Sequence, residues 1–180
     1  NWFNSTIAGL GLTGVILTAE IQLRKIDGPW IETETIPYTN IDEFFLLANS
    51  SESEWEHTVS WVDSISRGQT RGIFMRGRPT TQNDARLPNI NNIIFPCVPP
   101  VPLVNRYTVD TLNTAYFNLK KLQKGRKTCH YQSFLYPLDN ILAWNRIYGP
   151  KGFYQYQCVV PRNNSAESVQ AMLREIKRSG

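Results

Sequence analysis

With 180 residues, 41% of them hydrophobic and 19% charged, the chain has the length of one domain with a continuous core and a composition that excludes a disordered polymer. Its net charge of +4 is a small surplus for this size, and no stretch reaches the ~18 consecutive apolar residues of a membrane-spanning helix. The three cysteines, Cys97, Cys129 and Cys158, stand far apart without a CxxC pair, which argues against a zinc site or a disulfide framework. No metal is expected, and a reducing, cytoplasmic setting is.

The chain opens on Asn1 rather than methionine, and its first strand signal arrives after a dozen residues, as expected of a segment from a longer protein. Residues 9–16, GLGLTGVI, set three glycines against that strand. Glycine serves where φ is positive or where another group must approach bare backbone, so the stretch reads either as a cofactor-contacting bend or as a plain turn. From Val15 the apolar Val15, Leu17, Ala19, Ile21 and Leu23 alternate with polar residues, which predicts a half-buried strand.

After the Asp27-Gly28-Pro29 turn, the alternating Thr and Glu of residues 30–36 predict an antiparallel strand. Thr39 or Asn40 caps a short helix through Ile41, Phe44, Phe45 and Ala48, with Asp42 and Glu43 in its first turn. Residues 55–65 and 70–76 read as a hairpin around Ser66-Arg67-Gly68-Gln69. Residues 79–102 hold six of the eleven prolines and predict a long loop of lid or binding type.

Residues 107–127 are ambiguous, with Leu112, Tyr116, Leu119 and Leu122 at helical spacing followed by Lys124, Arg126 and Lys127. Together with Lys120 and Lys121 those cations form a solvated run or an anion-facing patch. Residues 138–148 predict a helix and 153–160 a strand ended by Pro161. The clearest helix begins at Asn164 or Ser165, with Glu167 at capping-box spacing and Val169, Met172, Leu173 and Ile176 as its apolar stripe. Strands and helices mix without a βαβ repeat, so the expected class is α+β, an antiparallel sheet flanked by helices.

Among chemistry-bearing residues, Gln155 and Gln157 fall on one face of the predicted strand, suited to sugar or alcohol hydroxyls or a flavin edge, or equally to a wet sheet face. Asn145 can contact a ligand or cap a turn. Trp61 belongs more often to a core than to a pocket, and His57 and His130 read as structural imidazoles. Asp63 and Asp139 have no partner that spacing identifies, and no nucleophile and base pair declares a catalytic centre.

The motifs GLGLTGVI, SWVDSISRGQTRGIFMRG, FLYPLD, WNRIYGPKGF and QYQCVVP, in that order, resemble the FAD-linked oxidases of the vanillyl-alcohol-oxidase type. Within them they are most similar to the branch of decaprenylphosphoryl-ribose 2-epimerase oxidase subunits. The resemblance implies that residues 1–26 are the tail of a FAD-binding domain and residues 27–180 most of the substrate or cap domain, incomplete here and inactive alone. It implies FAD contacts at Gly9, Gly11, Thr13, Gly14, Val15 and Ile16, and a substrate side formed by Trp61, Tyr136, Asn145, Gln155 and Gln157. The epimerase-type member has Tyr-His where this chain has Leu135-Tyr136, so Tyr136 is the loosest of these correspondences.

The implied reaction is hydride removal from a hydroxyl carbon of a sugar or alcohol, including a lipid-linked one, with peripheral membrane contact, no nucleic acid, and a catalytic base outside these residues. The competing expectation is a non-enzymatic binding module that meets nucleic acid or an anionic membrane through residues 120–127.

Overall fold

Alternating threonine and glutamate places two chemistries on opposite faces of one strand, and the architecture follows from how each face is covered. The structure, a computed structural model, describes residues 2–65, 68–82, 93–105, 107–139 and 141–179. Strand β1 (Trp30–Tyr38) is central, flanked by β3 (Arg71–Pro79) and β5 (Gly125–His130), and β2 (His57–Asp63) adds outside β3. All three pairings in the order β2-β3-β1-β5 are antiparallel. Among the described residues the sheet is accompanied by the α-helices α1 (Trp2–Thr6), α2 (Ile41–Ser51), α3 (Val109–Leu122), α4 (Tyr131–Leu135) and α5 (Ser165–Ser179). The class is α+β, as the sequence indicates.

Register divides the sheet. Thr33 lies opposite both Gly77 and Lys127, Gly77 opposite His57, and Thr35 opposite Met75, which in turn faces Val59. These residues share one face with Ile73 and Trp61, and the other face carries Glu32, Glu34, Arg76, Arg78 and Arg126. On that second face Arg76 Nε donates to Glu34 at 2.8 Å and Arg78 Nε to Glu32 at 2.8 Å. The guanidiniums of Arg76, Arg78 and Arg126 lie 4.6, 4.9 and 5.6 Å from the ring centre of buried Trp55. The charges are thus paired edge-on and stacked face-on, so the indole can be buried under a charged ladder.

Helix α2 covers the rest of the second face. Asn40 Oδ1 accepts from the Glu43 amide at 2.9 Å, and Glu43 accepts from the Thr39 amide at 2.8 Å, so the first turn is closed reciprocally. Phe44 then meets Tyr38 and Phe74 at ring distances of 5.9 and 6.0 Å. Tyr38 crosses Gly72 to bond Ser60 Oγ at 2.9 Å, and a β-carbon at Gly72 would overlap its ring. That residue is glycine because an aromatic ring occupies the space.

Several sequence expectations change. Residues 12–26 form no strand: β1 is paired on both edges and the segment ladders with neither β2 nor β5, so Leu17, Ile21 and Leu23 stay more than 70% exposed. Arg24 bonds Glu56 and ties the segment to the approach of β2. Residues 138–148 are not one helix. A turn leads to a two-residue strand β6 (Ile141–Leu142), which pairs in parallel with β4 (Ile93–Ile94), and then to a 3₁₀ helix (Trp144–Tyr148). Ala143 at φ +57° is left-handed and cannot carry an α-helix through.

Residues 153–160 alternate in sequence but find no ladder partner, with Tyr154 and Tyr156 fully or almost fully exposed. Residues 107–127 resolve into α3 and the start of the strand β5, which opens on Gly125 at φ +110°. The expected proline-rich loop is interrupted by β4, and its residues 83–92, like Ser66 and Arg67 of the hairpin loop, lie outside the described residues.

Candidate functional site

The first sheet face holds a cavity of about 650 Å³. Its floor is made by Thr33 and Thr35 of β1, Met75 of β3 and Val59 of β2, neighbours by register. One wall is α3 through Tyr116 and Lys120, and the opposite wall is α4 through Phe134 and Leu135. Gly77 lets α4 approach: a β-carbon there would stand 2.9 Å from the Phe134 ring. The alternation of residues 30–36 creates this floor, since it sends threonine here and glutamate to the charged face.

A buried clamp sets α3 in place. Asp63, fully buried at the end of β2, accepts from Arg71 Nε at 2.9 Å and from Asn113 Nδ2 at 2.8 Å. Arg71 donates on to Thr114 Oγ1 at 2.7 Å and lies 4.9 Å from the ring centre of Phe117. The carboxylate that had no partner in the sequence therefore joins two strands to a helix 50 residues away. At the other end of the cavity His130 Nδ1 accepts from the Gln132 amide and starts α4, a structural use of that imidazole. His57 lines the cavity, with its ring 6.5 Å from that of Phe134.

The lining carries two lysines, Lys120 and Lys127, and one carboxylate, Glu56, which pairs with Arg24. Lys120 Nζ sits 5.7 Å over the Tyr116 ring, and burial followed by the nearby Lys127 charge pulls its ammonium below the ordinary lysine range. Burial pushes the Tyr116 phenol up. Burial also raises the Cys129 thiol, against the opposing pull of its bond to Thr33 and of Lys127, so this thiol stays protonated at neutral pH. The site can take a ligand with apolar bulk against Met75, Val59 and Phe134 and negative charge at Lys120 and Lys127.

Of the residues singled out from sequence, Trp61 lies on the cavity face of β2, its ring 4.9 Å from Tyr116. Tyr136 is half exposed and sits between Leu135 and Pro137, which both line the cavity. Asn145 is exposed on the 3₁₀ helix, and Gln155 and Gln157 lie on the exposed stretch without a ladder, none of the three among the cavity lining. In the glycine bend, Gly11 and Gly14 hold φ of +78° and +147° with open space where a β-carbon would stand. Thr13 Oγ1 donates to Thr6 Oγ1 at 3.1 Å, and Val15 and Ile16 are exposed. Gly9 is packed on its own chain, its would-be β-carbon 2.5 Å from the Ser5 carbonyl.

The sequence reading missed Tyr116, Thr33 and Thr35 as lining residues and took Lys120 and Lys127 only as parts of a basic run. The threonine-glutamate alternation was the usable signal for the floor. The α3 wall depends on contacts far apart in sequence.

No protein-family model matches the chain. Across 99% of its length the chain is 27% identical to a decaprenylphosphoryl-beta-D-ribose oxidase of Mycolicibacterium smegmatis, of which it covers 41%. Over 39% of its length it is 36% identical to an uncharacterized protein in the mprA 5' region of Streptomyces coelicolor, of which it covers 19%. The chain thus spans less than half the length of these curated relatives. Distant similarity along the entire chain to an oxidase agrees with the family that its motifs resemble and supports an oxidoreductase as the protein to which these residues belong.

Proposed function

We propose that this chain is part of a FAD-linked oxidoreductase that oxidises a hydroxyl-bearing carbon of a sugar or alcohol, with residues 1–26 ending the flavin-binding domain and residues 27–180 forming the substrate domain. The observation that carries the proposal is the cavity against the sheet face of Trp61, walled by the α4 segment that leads into Tyr136. The similarity to an oxidase of a phosphoryl-linked sugar supports the same reading.

The residues present suit a flavin. At Gly11 and Gly14 no heavy atom stands within 4 Å of where a β-carbon would be, so a flat ring system can approach the backbone at these two positions. Gly9, Gly11, Thr13, Gly14, Val15 and Ile16 would hold FAD, which when bound supplies the hydride acceptor. The amides of Asn145, Gln155 and Gln157 offer donors and acceptors that orient the substrate hydroxyls, and Trp61 and Tyr136 wall them from solvent. Lys120 and Lys127 supply positive charge for a phosphoryl group of a lipid-linked sugar, whose chain lies along Met75, Val59 and Phe134.

The test is Gln155→Ala in the full-length, FAD-loaded protein. Stopped-flow bleaching of the flavin by substrate slows strongly while FAD retention is unchanged. Bleaching at the parent rate removes Gln155 from the substrate side.

A further inference from the structure

The 3₁₀ helix that carries Asn145 cannot hold its own orientation. It is five residues long, with the left-handed Ala143 directly before Trp144 and Gly149 at φ +73° directly after Tyr148. The Arg146 amide donates to the Ala143 carbonyl at 3.0 Å and the Gly149 amide to the Arg146 carbonyl at 3.0 Å. A turn this short is not stable in water by itself, so contacts from elsewhere decide where Asn145 stands.

Residues 93–103 supply such contacts on either side of Asn145. Before it, β4 pairs with β6, and the Phe95 amide donates to the Leu142 carbonyl at 3.0 Å. After it, the Leu103 amide donates to the Ile147 carbonyl at 2.9 Å. Gly149 is buried against Pro102, where a β-carbon would stand 3.2 Å from the proline nitrogen. Arg146 ties the middle: its Nη1 donates to the Phe95 carbonyl at 2.7 Å and to the Pro96 carbonyl at 3.2 Å. Trp144 and Tyr148 also meet Phe153, at ring distances of 5.4 and 4.4 Å, but ring packing permits sliding that two charge-assisted bonds to fixed carbonyls do not. Asn145, the neighbour of Arg146 in sequence, is left exposed.

We infer that Arg146 is a positioning residue, which braces the 3₁₀ helix against the Phe95 and Pro96 carbonyls and so fixes the place from which the Asn145 amide meets substrate. The inference rests on the reading of Asn145 as a substrate contact. It adds that the aim of that amide is set by carbonyls 51 and 50 residues earlier in the chain.

The experiment is stopped-flow bleaching of the flavin in the full-length, FAD-loaded protein, with dodecylphosphoryl ribose as the probe, which joins an apolar chain, a phosphoryl group and free hydroxyls. Arg146→Ala lowers the limiting rate about 10- to 100-fold, the cost of misplacing an orienting group by about 1 Å. The half-saturating probe concentration changes by less than about twofold, because Lys120 and Lys127 still meet the phosphoryl group. Asn145→Ala is slowed to a similar extent, and Asn145→Ala with Arg146→Ala is no slower than Asn145→Ala alone, as required of a residue that acts through another. Arg146→Lys keeps a donor for one carbonyl and recovers part of the rate; if the alanine variant loses FAD, the same comparison is made with the lysine variant. An Arg146→Ala protein that bleaches at the unsubstituted rate, or two losses that multiply in the double variant, overturns the inference and leaves the oxidase reading standing. Asn145→Ala that bleaches at the unsubstituted rate, or an unsubstituted protein that the probe leaves oxidised, brings down the reading of Asn145 and the inference with it.

Discussion

Removal of the Asp63 carboxylate tests whether one buried clamp sets the position of the cavity wall. In Asp63→Ala, Arg71 and Asn113 lose their acceptor at 2.9 and 2.8 Å, and neither the apolar Phe117 nor the Thr114 hydroxyl replaces it. A hydrogen bond to a charged group contributes about 1.5–3 kcal/mol, and breaking one partner of a buried pair costs about 3–5 kcal/mol. Arg71 is 25% exposed, so water recovers part of its solvation, which places the expected loss near the low end, about 3 kcal/mol. For a chain of this size that lowers Tm by roughly 6–12 °C. Differential scanning calorimetry measures the shift, and the part of the tryptophan emission that Trp61→Phe removes reports the wall itself, moving to the red as Tyr116 separates from the indole. Asp63→Asn keeps the shape and one acceptor and falls between the two. A Tm change of Asp63→Ala within about 2 °C, with unshifted emission, would refute the claim that the clamp seats α3.

Gly72→Ala forces a β-carbon into the Tyr38 ring and to 2.5 Å from the Trp61 carbonyl, so it lowers stability by about 1–3 kcal/mol in denaturant titration; an unchanged midpoint contradicts the packing. The Lys120 ammonium, lowered by burial and then by Lys127, titrates at higher pH in Lys127→Gln yet still below ordinary lysine, as NMR of its side-chain carbons will read. Because its folded pKa is depressed, the folded state binds fewer protons than the unfolded one in that window. Stability from this group therefore rises as pH climbs from the folded pKa to the unfolded value of 10.5, and a falling contribution there contradicts the assignment. Trp55→Leu removes the surface on which three guanidiniums stack and costs about 2–3 kcal/mol by thermal unfolding, whereas a neutral outcome means that the Glu-Arg ladder stands without it.

The parts of this fold written in local pattern were legible before the coordinates. Asn40 and Glu43 announce the start of α2, the Thr-Glu alternation gives β1 and both its faces, and the stripe from Val169 to Ile176 gives α5. What local pattern cannot carry is whether a segment finds a partner. Residues 15–24 and 153–160 alternate as cleanly as β1, but a ladder needs a free neighbouring edge, and neither segment pairs with one. Conversely, β5 is hidden in a lysine-rich run because an edge strand tolerates polar residues on both faces, as in Gly125–His130.

The left-handed Ala143 broke an otherwise helical pattern that no glycine or proline marked. For the site, Trp61 and the segment around Tyr136 were visible as motifs, whereas Tyr116 and Lys120 join them only through the Asp63-Arg71-Asn113 clamp, a contact between distant parts of the chain. The exposed amides of Asn145, Gln155 and Gln157 carry no such link to the cavity within the chain, which makes them the sharpest point of the functional proposal.

The most direct measurement is the visible spectrum of the full-length protein that contains this chain, recorded anaerobically before and after addition of a phosphoryl-linked sugar bearing a free hydroxyl. The account predicts oxidised-flavin bands in the purified protein and their bleaching by that substrate. A colourless protein that takes up no FAD, or a yellow one whose bands persist with every hydroxyl substrate, would contradict it.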